Sequence, residues 1–125
     1  MTTKNYTVSI EIRGSYLFAQ VYGKRTRETV TEVAAEIFSE AVANHLSRVI
    51  VDVRAFDGRL GVLDIYLVVT EVFQKLRGKG VAKAAIVDKL QSSVREWFME
   101  TVAVNRGFNF RIFTDLDRAL EWLES

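Results

Sequence analysis

The side chains able to do chemistry are few. The 125 residues include one histidine, His45, and no cysteine. Without cysteine there are no disulfides, thiolate nucleophiles or Cys-ligated zinc, and one histidine excludes a multi-His metal site within a subunit. Serine and aspartate are plentiful, but a GxSxG elbow is absent, and any Ser-His-Asp triad would have to use His45. A glycine-rich cradle for phosphate is missing too. These absences leave an enzyme unsupported, so no catalytic residue, metal or cofactor is expected, although an enzyme using Asp57 or His45 at the strand ends is not excluded.

Four residues in one short segment could recognise a ligand or partner: Arg54, Asp57, Gly58 and Arg59. Gly58 permits a tight turn, and Arg59 beside a helix start could hold an anion. The plainer reading, and the preferred one, is a solvated loop whose Asp57 caps the next helix, since surface charges rarely need explanation. Lys89, Gln91, Ser92 and Ser93 could receive a phosphate at a helix start, or simply cap it. His45 falls near the end of the first helix, where an imidazolium suits the helix dipole and a neutral ring could pack. Asn105 shares a helical stripe with Val94, Phe98, Thr101 and Val102, so its amide is expected to be partly buried. A buried amide left unpaired would cost ~1–3 kcal/mol.

Composition narrows the classes further. The chain is 49% hydrophobic and 26% charged, a globular balance. Seventeen basic against sixteen acidic side chains leave a net charge of +1, which gives no electrostatic reason to expect nucleic acid or an anionic membrane surface. No run of about 18 uncharged apolar residues could form a transmembrane helix. Met1 to Asn5 is polar and unlike a signal peptide, so a soluble cytoplasmic protein is expected. With no proline, low-complexity tract or composition break, residues 1–125 are expected to form a single domain.

The periodicity supplies the elements that must position these groups. Val8, Ile10 and Ile12 alternate with polar residues, Gly14-Ser15 signals a turn, and Tyr16 to Tyr22 is β-rich, predicting a hairpin. Thr29-x-x-Glu32 reads as a capping box before a helix with Val33, Ile37 and Ala41 on one face. Val49 to Val53 is nearly continuous and β-branched, as in a strand buried on both faces. Leu60 to Leu76 is long enough for a helix, and Val81 to Val87 is a short strand. Ser92 or Ser93 can cap a helix running to Arg106, with Gly107 its stop. Phe108 to Phe113 is the last strand, and Thr114 can cap a final helix.

The expected fold class is therefore α/β, in the order ββαβαβαβα. The sheet is mixed but mostly parallel, with the first strand antiparallel and helical crossovers between the rest. Ligands of such sheets sit beyond the carboxyl ends of the strands. That rim comprises Gly23 to Arg27, Arg54 to Arg59, Asp88 to Ser93, and Thr114-Asp115.

The helix from Leu60 to Leu76 has a surplus of apolar surface. Val62, Ile65, Val69, Val72 and Leu76 form one stripe, enough to pack on a sheet. Leu60, Leu63 and Leu67 lie on another side, and Trp97 and Val104 make a comparable flank on the next helix. The second stripe could meet a neighbouring helix, a partner subunit or an apolar ligand.

Three segments carry a resemblance: Val51-Asp52-Val53-Arg54 with Gly58-Arg59; Glu100-Thr101-Val102-Ala103 with Asn105-Arg106-Gly107; and Phe113-Thr114-Asp115-Leu116-Asp117 with Ala119-Leu120 and Trp122-Leu123. Over roughly Tyr6 to Leu123 the chain resembles the SpoIIAA-like bacterial proteins of the STAS and CRAL-TRIO superfamily. The resemblance implies a STAS-like βα superhelix and non-enzymatic relatives. STAS domains of the anti-anti-sigma type bind a partner kinase and are switched at a serine that follows an Asp at a helix start. Asp57 fits that Asp, but no Ser or Thr occurs from Arg54 to Val69. The resemblance, taken with the second leucine stripe and the poverty of catalytic groups, leads to the expectation of a non-enzymatic regulatory module working through protein contact, a homodimer with a further, unknown protein partner, without that switch. The CRAL-TRIO relationship leaves an alternative, a carrier or sensor of a small apolar or lipid ligand.

Overall fold

The computed structural model describes residues 5–76, 78–89, 100–102, 104–105 and 109–125. Five strands form one sheet in the order β1-β2-β3-β4-β5: β1 (Tyr6–Arg13), β2 (Tyr16–Lys24), β3 (Arg48–Asp57), β4 (Lys83–Val87) and β5 (Asn109–Phe113). The β1–β2 pair is an antiparallel hairpin, turning at Gly14 with φ 60°. The three remaining pairings are parallel. Helices α1 (Arg27–Ala43) and α2 (Val62–Leu76) follow β2 and β3, and α3 (Leu116–Glu124) closes the order. Between β4 and β5, residues 100–102 and 104–105 are helical, so strands and helices alternate as the periodicity predicts.

Alternation along the strands divides the core in two. Val49, Val51 and Val53 of β3 face one way, toward Val33 and Ile37 of α1 and Ile65 and Val69 of α2. Ile50 faces the other way, with Phe18, Ala85 and Val87, against Ala119 and Leu123 of α3. A β3 buried on both faces explains its nearly unbroken apolar sequence. On the α3 side, the Lys83 ammonium lies over the Trp122 ring and donates to the Trp122 carbonyl at 2.6 Å, tying β4 to the end of α3.

Several ends differ from expectation. The first helix begins earlier than Thr29: Thr26 is its N-cap, and its hydroxyl accepts from the Thr29 amide while the Thr29 hydroxyl accepts from the Thr26 amide. A hydroxyl three residues along serves where the motif usually has Glu or Gln. Asp115, not Thr114, caps α3, because its carboxylate accepts from the Asp117 amide at 2.9 Å. The strand expected from Val81 starts at Lys83. His45 lies beyond α1 with φ 56°; its amide donates to Val42 and the Leu46 amide to Ala41, which closes the helix end in the left-handed form normally given to glycine.

Candidate functional site

The rim beyond the carboxyl ends of β2, β3 and β4 gathers a charged cluster. Arg25 leaves β2 and its backbone amide donates to the Asp57 carbonyl at 2.6 Å. Its guanidinium then reaches across the sheet end. Nη2 donates to the Val53 carbonyl at 3.0 Å and the Phe56 carbonyl at 2.8 Å, and Nη1 donates to Asp88 Oδ2 at 2.9 Å. Those carbonyls end a parallel strand and would otherwise need other donors. Asp88 follows β4, is only 5% exposed, and also receives the Arg59 Nη1 at 2.9 Å and the Lys89 amide at 2.9 Å. One buried carboxylate therefore carries two guanidiniums, and removing it would strand charge in a poorly solvated place.

The four residues expected to act together are divided. Arg59 joins Arg25 and Asp88. Gly58 has φ 116°, and a β-carbon there would meet the Arg25 carbonyl oxygen at 3.0 Å, so its lack of a side chain lets the two loops close. Asp57 is exposed and lies 3.6 Å from the Lys89 ammonium. Arg54 belongs elsewhere: it grips Asp52 through Nε at 2.9 Å and Nη2 at 2.7 Å, on the α3 side of the sheet. Burial alone would push the Asp52 carboxyl up, but the hydrogen bonds and charge of Arg54 outweigh it and hold it below the usual carboxylate range. Asp52 in turn raises Arg54.

Arg25 and Asp88 lie within the rim segments that the topology singles out, yet neither stands out in sequence. Asp88 has one weak signal, a charged residue directly after an apolar strand. Beyond Lys89, the set Lys89–Ser93 lies outside the described residues. Asn105 is exposed rather than partly buried, since the helix turns that position outward. His45 is exposed at the helix end and takes no part in the rim cluster.

The surplus apolar stripe is also redrawn. Leu60 is not in the helix: α2 starts at Val62, and Leu60 packs half-buried against the core. Leu63 is 70% exposed, and Tyr66 and Leu67 are each 40% exposed. Ile65, Val68 and Val69 face inward on the same helix. Trp97 lies outside the described residues, and Val104 is exposed.

Under the rim cluster lies a cavity of ≈160 Å³ between the sheet and helices α1 and α2. Val33 and Ile37 of α1, Val51 and Val53 of β3, and Ile65 and Val69 of α2 line it. Arg25, Arg59 and Asp88 stand at its charged end. Among the described residues no group of three or more His, Asp or Glu side chains could hold a metal, and no helix is long and apolar enough to cross a membrane.

The hairpin, parallel crossovers and closing helix define a STAS-like fold, and solved structures share it. A crystal structure of an anti-sigma factor antagonist from Mycobacterium paratuberculosis superposes with a TM-score of 0.65 at 18% identity, covering 96% of this chain and 95% of its own. An uncharacterized protein with a SpoIIAA-like fold from Shewanella loihica gives 0.60 at 24% identity, covering 98% of each chain. Residues 16–124 match the SpoIIAA-like family, and the chain belongs to it. No curated protein matches it.

Proposed function

We propose that this SpoIIAA-like chain is a non-enzymatic, cytoplasmic regulatory module, a single domain over residues 1–125 that acts through protein contact and pairs as a homodimer. The observation that carries the proposal is the outer face of α2. Leu63, Tyr66 and Leu67 sit three and four residues apart, on one side of a helix whose other side is already committed to the core. Single exposed hydrophobes are ordinary, but a contiguous group on one helix face marks a contact surface. The structural neighbour named as an anti-sigma factor antagonist supports protein contact as the mode of action. With no Ser or Thr from Arg54 to Val69, control at the STAS phosphoserine position is not part of the reading.

The absence of cysteine makes the test direct. Leu63→Cys places a single thiol on this face, and Glu28→Cys places one on α1. A short bismaleimide should link Leu63→Cys chains into dimers much faster than Glu28→Cys chains. Equal rates would overturn the proposal.

A second reading, carriage or sensing of a small apolar ligand, is favoured by one observation, the apolar cavity between the sheet and helices α1 and α2. Mass spectrometry of the native protein should then detect a bound small molecule that denaturation releases. Repeated absence of one would count against it.

A further inference from the structure

The sheet ends in two edges, and they differ. At β5 the Glu100 carboxylate accepts from the Ile112 amide at 2.8 Å, so a side chain already occupies that edge. At β1 the edge is open. The hairpin joins Arg13 to Tyr16 across two residues, which makes Arg13 and Tyr16 a pair that exchanges hydrogen bonds. In an antiparallel ladder such pairs alternate with pairs whose backbone groups point away. Thr7, Ser9, Glu11 and Arg13 therefore bond to β2, while Val8, Ile10 and Ile12 turn their amides and carbonyls outward. Those outward groups meet no backbone partner among the described residues. Native edges are blunted by proline, lysine or a bulge. β1 has none of these, and its eight residues pair with β2 without a break.

The side chains along this edge specify what could lie beside it. Val8 and Ile10 pack half-buried against the core under α1, and Ile12 is 49% exposed on the same face. On the opposite face Glu11 and Arg13 pair with each other at 3.0 Å and remain 60% and 40% exposed. A strand laid antiparallel along β1 would meet Arg13, Ile12, Glu11, Ile10, Ser9 and Val8 in that order. A second β1 fits this order poorly, because two full strands paired about Ile10 set Glu11 opposite Ser9 and Arg13 opposite Thr7.

We propose that β1 accepts an extended segment of a partner protein as a sixth, antiparallel strand. That segment carries an acidic residue opposite Arg13, a basic residue opposite Glu11, and apolar residues opposite Ile12, Ile10 and Val8. The four charges then alternate in sign across the pair of strands, and the apolar residues extend the core beside Ile12. The proposal rests on the protein-contact reading and supplies the chemistry of the further partner. It leaves the α2 face to the second copy.

Fluorescence anisotropy with the full chain and two dye-labelled, end-blocked peptides tests this. Glu-Val-Lys-Val-Thr-Val has the proposed order, and Lys-Val-Glu-Val-Thr-Val exchanges its charges at constant composition. The first should bind about fivefold or more tightly than the second. Exchanging the charges of the protein, Glu11→Arg with Arg13→Glu, should reverse that preference. Ile10→Pro should abolish binding of both peptides, because it removes an outward donor and spares the bonds between β1 and β2. If that variant fails to fold, the reversal by the exchanged pair still decides. Failure of both peptides to bind, equal affinities, or a preference that charge exchange leaves unchanged would overturn the proposal. None of these would touch the α2 contact, which Leu67→Glu reports separately. A fall in the mass of the chain on Ile10→Pro, without peptide, would also overturn it by assigning the edge to a second copy.

Discussion

Gly58 and Arg25 approach so closely that a β-carbon on Gly58 would lie 3.0 Å from the Arg25 carbonyl oxygen and 3.4 Å from its Cβ. That contact brings the loop after β3 against the loop after β2, and the Arg25 guanidinium then spans from β3 to Asp88. The rim cluster thus depends on a residue with no side chain. Its φ of 116° is one that other residues rarely adopt.

Gly58→Ala is accordingly expected to destabilise the fold by about 1–3 kcal/mol, from backbone strain together with displacement of Arg25. Gly61 is the control, because nothing lies within 4 Å of a β-carbon there and its φ is unexceptional. Denaturant unfolding should show a clear loss for the first variant and little for Gly61→Ala. Equal effects would contradict the packing argument.

The Asp52–Arg54 pair makes stability depend on acid. Its folded carboxyl titrates below the unfolded value of about 3.9. The unfolded chain therefore takes up this proton first as pH falls. The pair's contribution is present above about pH 4 and is lost as pH drops through the depressed folded value. Asp52→Asn should be less stable than the unmodified chain at pH 7, with the gap narrowing toward pH 3. Urea unfolding at both pH values measures it.

The end of α1 holds His45 in a left-handed conformation, φ 56°, where a side chain is a burden. His45→Gly should stabilise the protein by about 0.5–1 kcal/mol, since the helix-closing hydrogen bonds are made by the backbone alone. A thermal melt showing a lower midpoint for the glycine variant would assign His45 a side-chain role that its exposed position does not suggest.

The sheet was legible because its strands advertise themselves. Val49 to Val53 is apolar without a break since both faces are covered, and the hairpin alternates around Gly14. Helix starts were less so: hydroxyls and carboxylates compete to cap, and Thr26 and Asp115 prevail over Thr29 and Thr114 through backbone conformation that composition does not reveal. The rim was legible as a place but not as a partnership. Arg54, Asp57 and Arg59 are near neighbours in sequence, yet strand alternation sends Arg54 to the other side of the sheet. Arg59 instead pairs with Asp88 from beyond β4, a carboxylate it shares with Arg25 from beyond β2. Only the tertiary register brings Arg25 and Asp88 together, 63 residues apart. Leu60 shows the same limit, since helical spacing carries the apolar stripe two residues ahead of Val62, where α2 begins.

The outer face of α2 as a contact between copies is the central claim, and light scattering across a concentration series tests it most directly. The unmodified chain should have twice its 14.2 kDa mass, and Leu67→Glu should return it to 14.2 kDa while remaining folded. An unmodified chain that stays at 14.2 kDa at the highest concentration, or a Leu67→Glu variant that keeps the double mass, would contradict it.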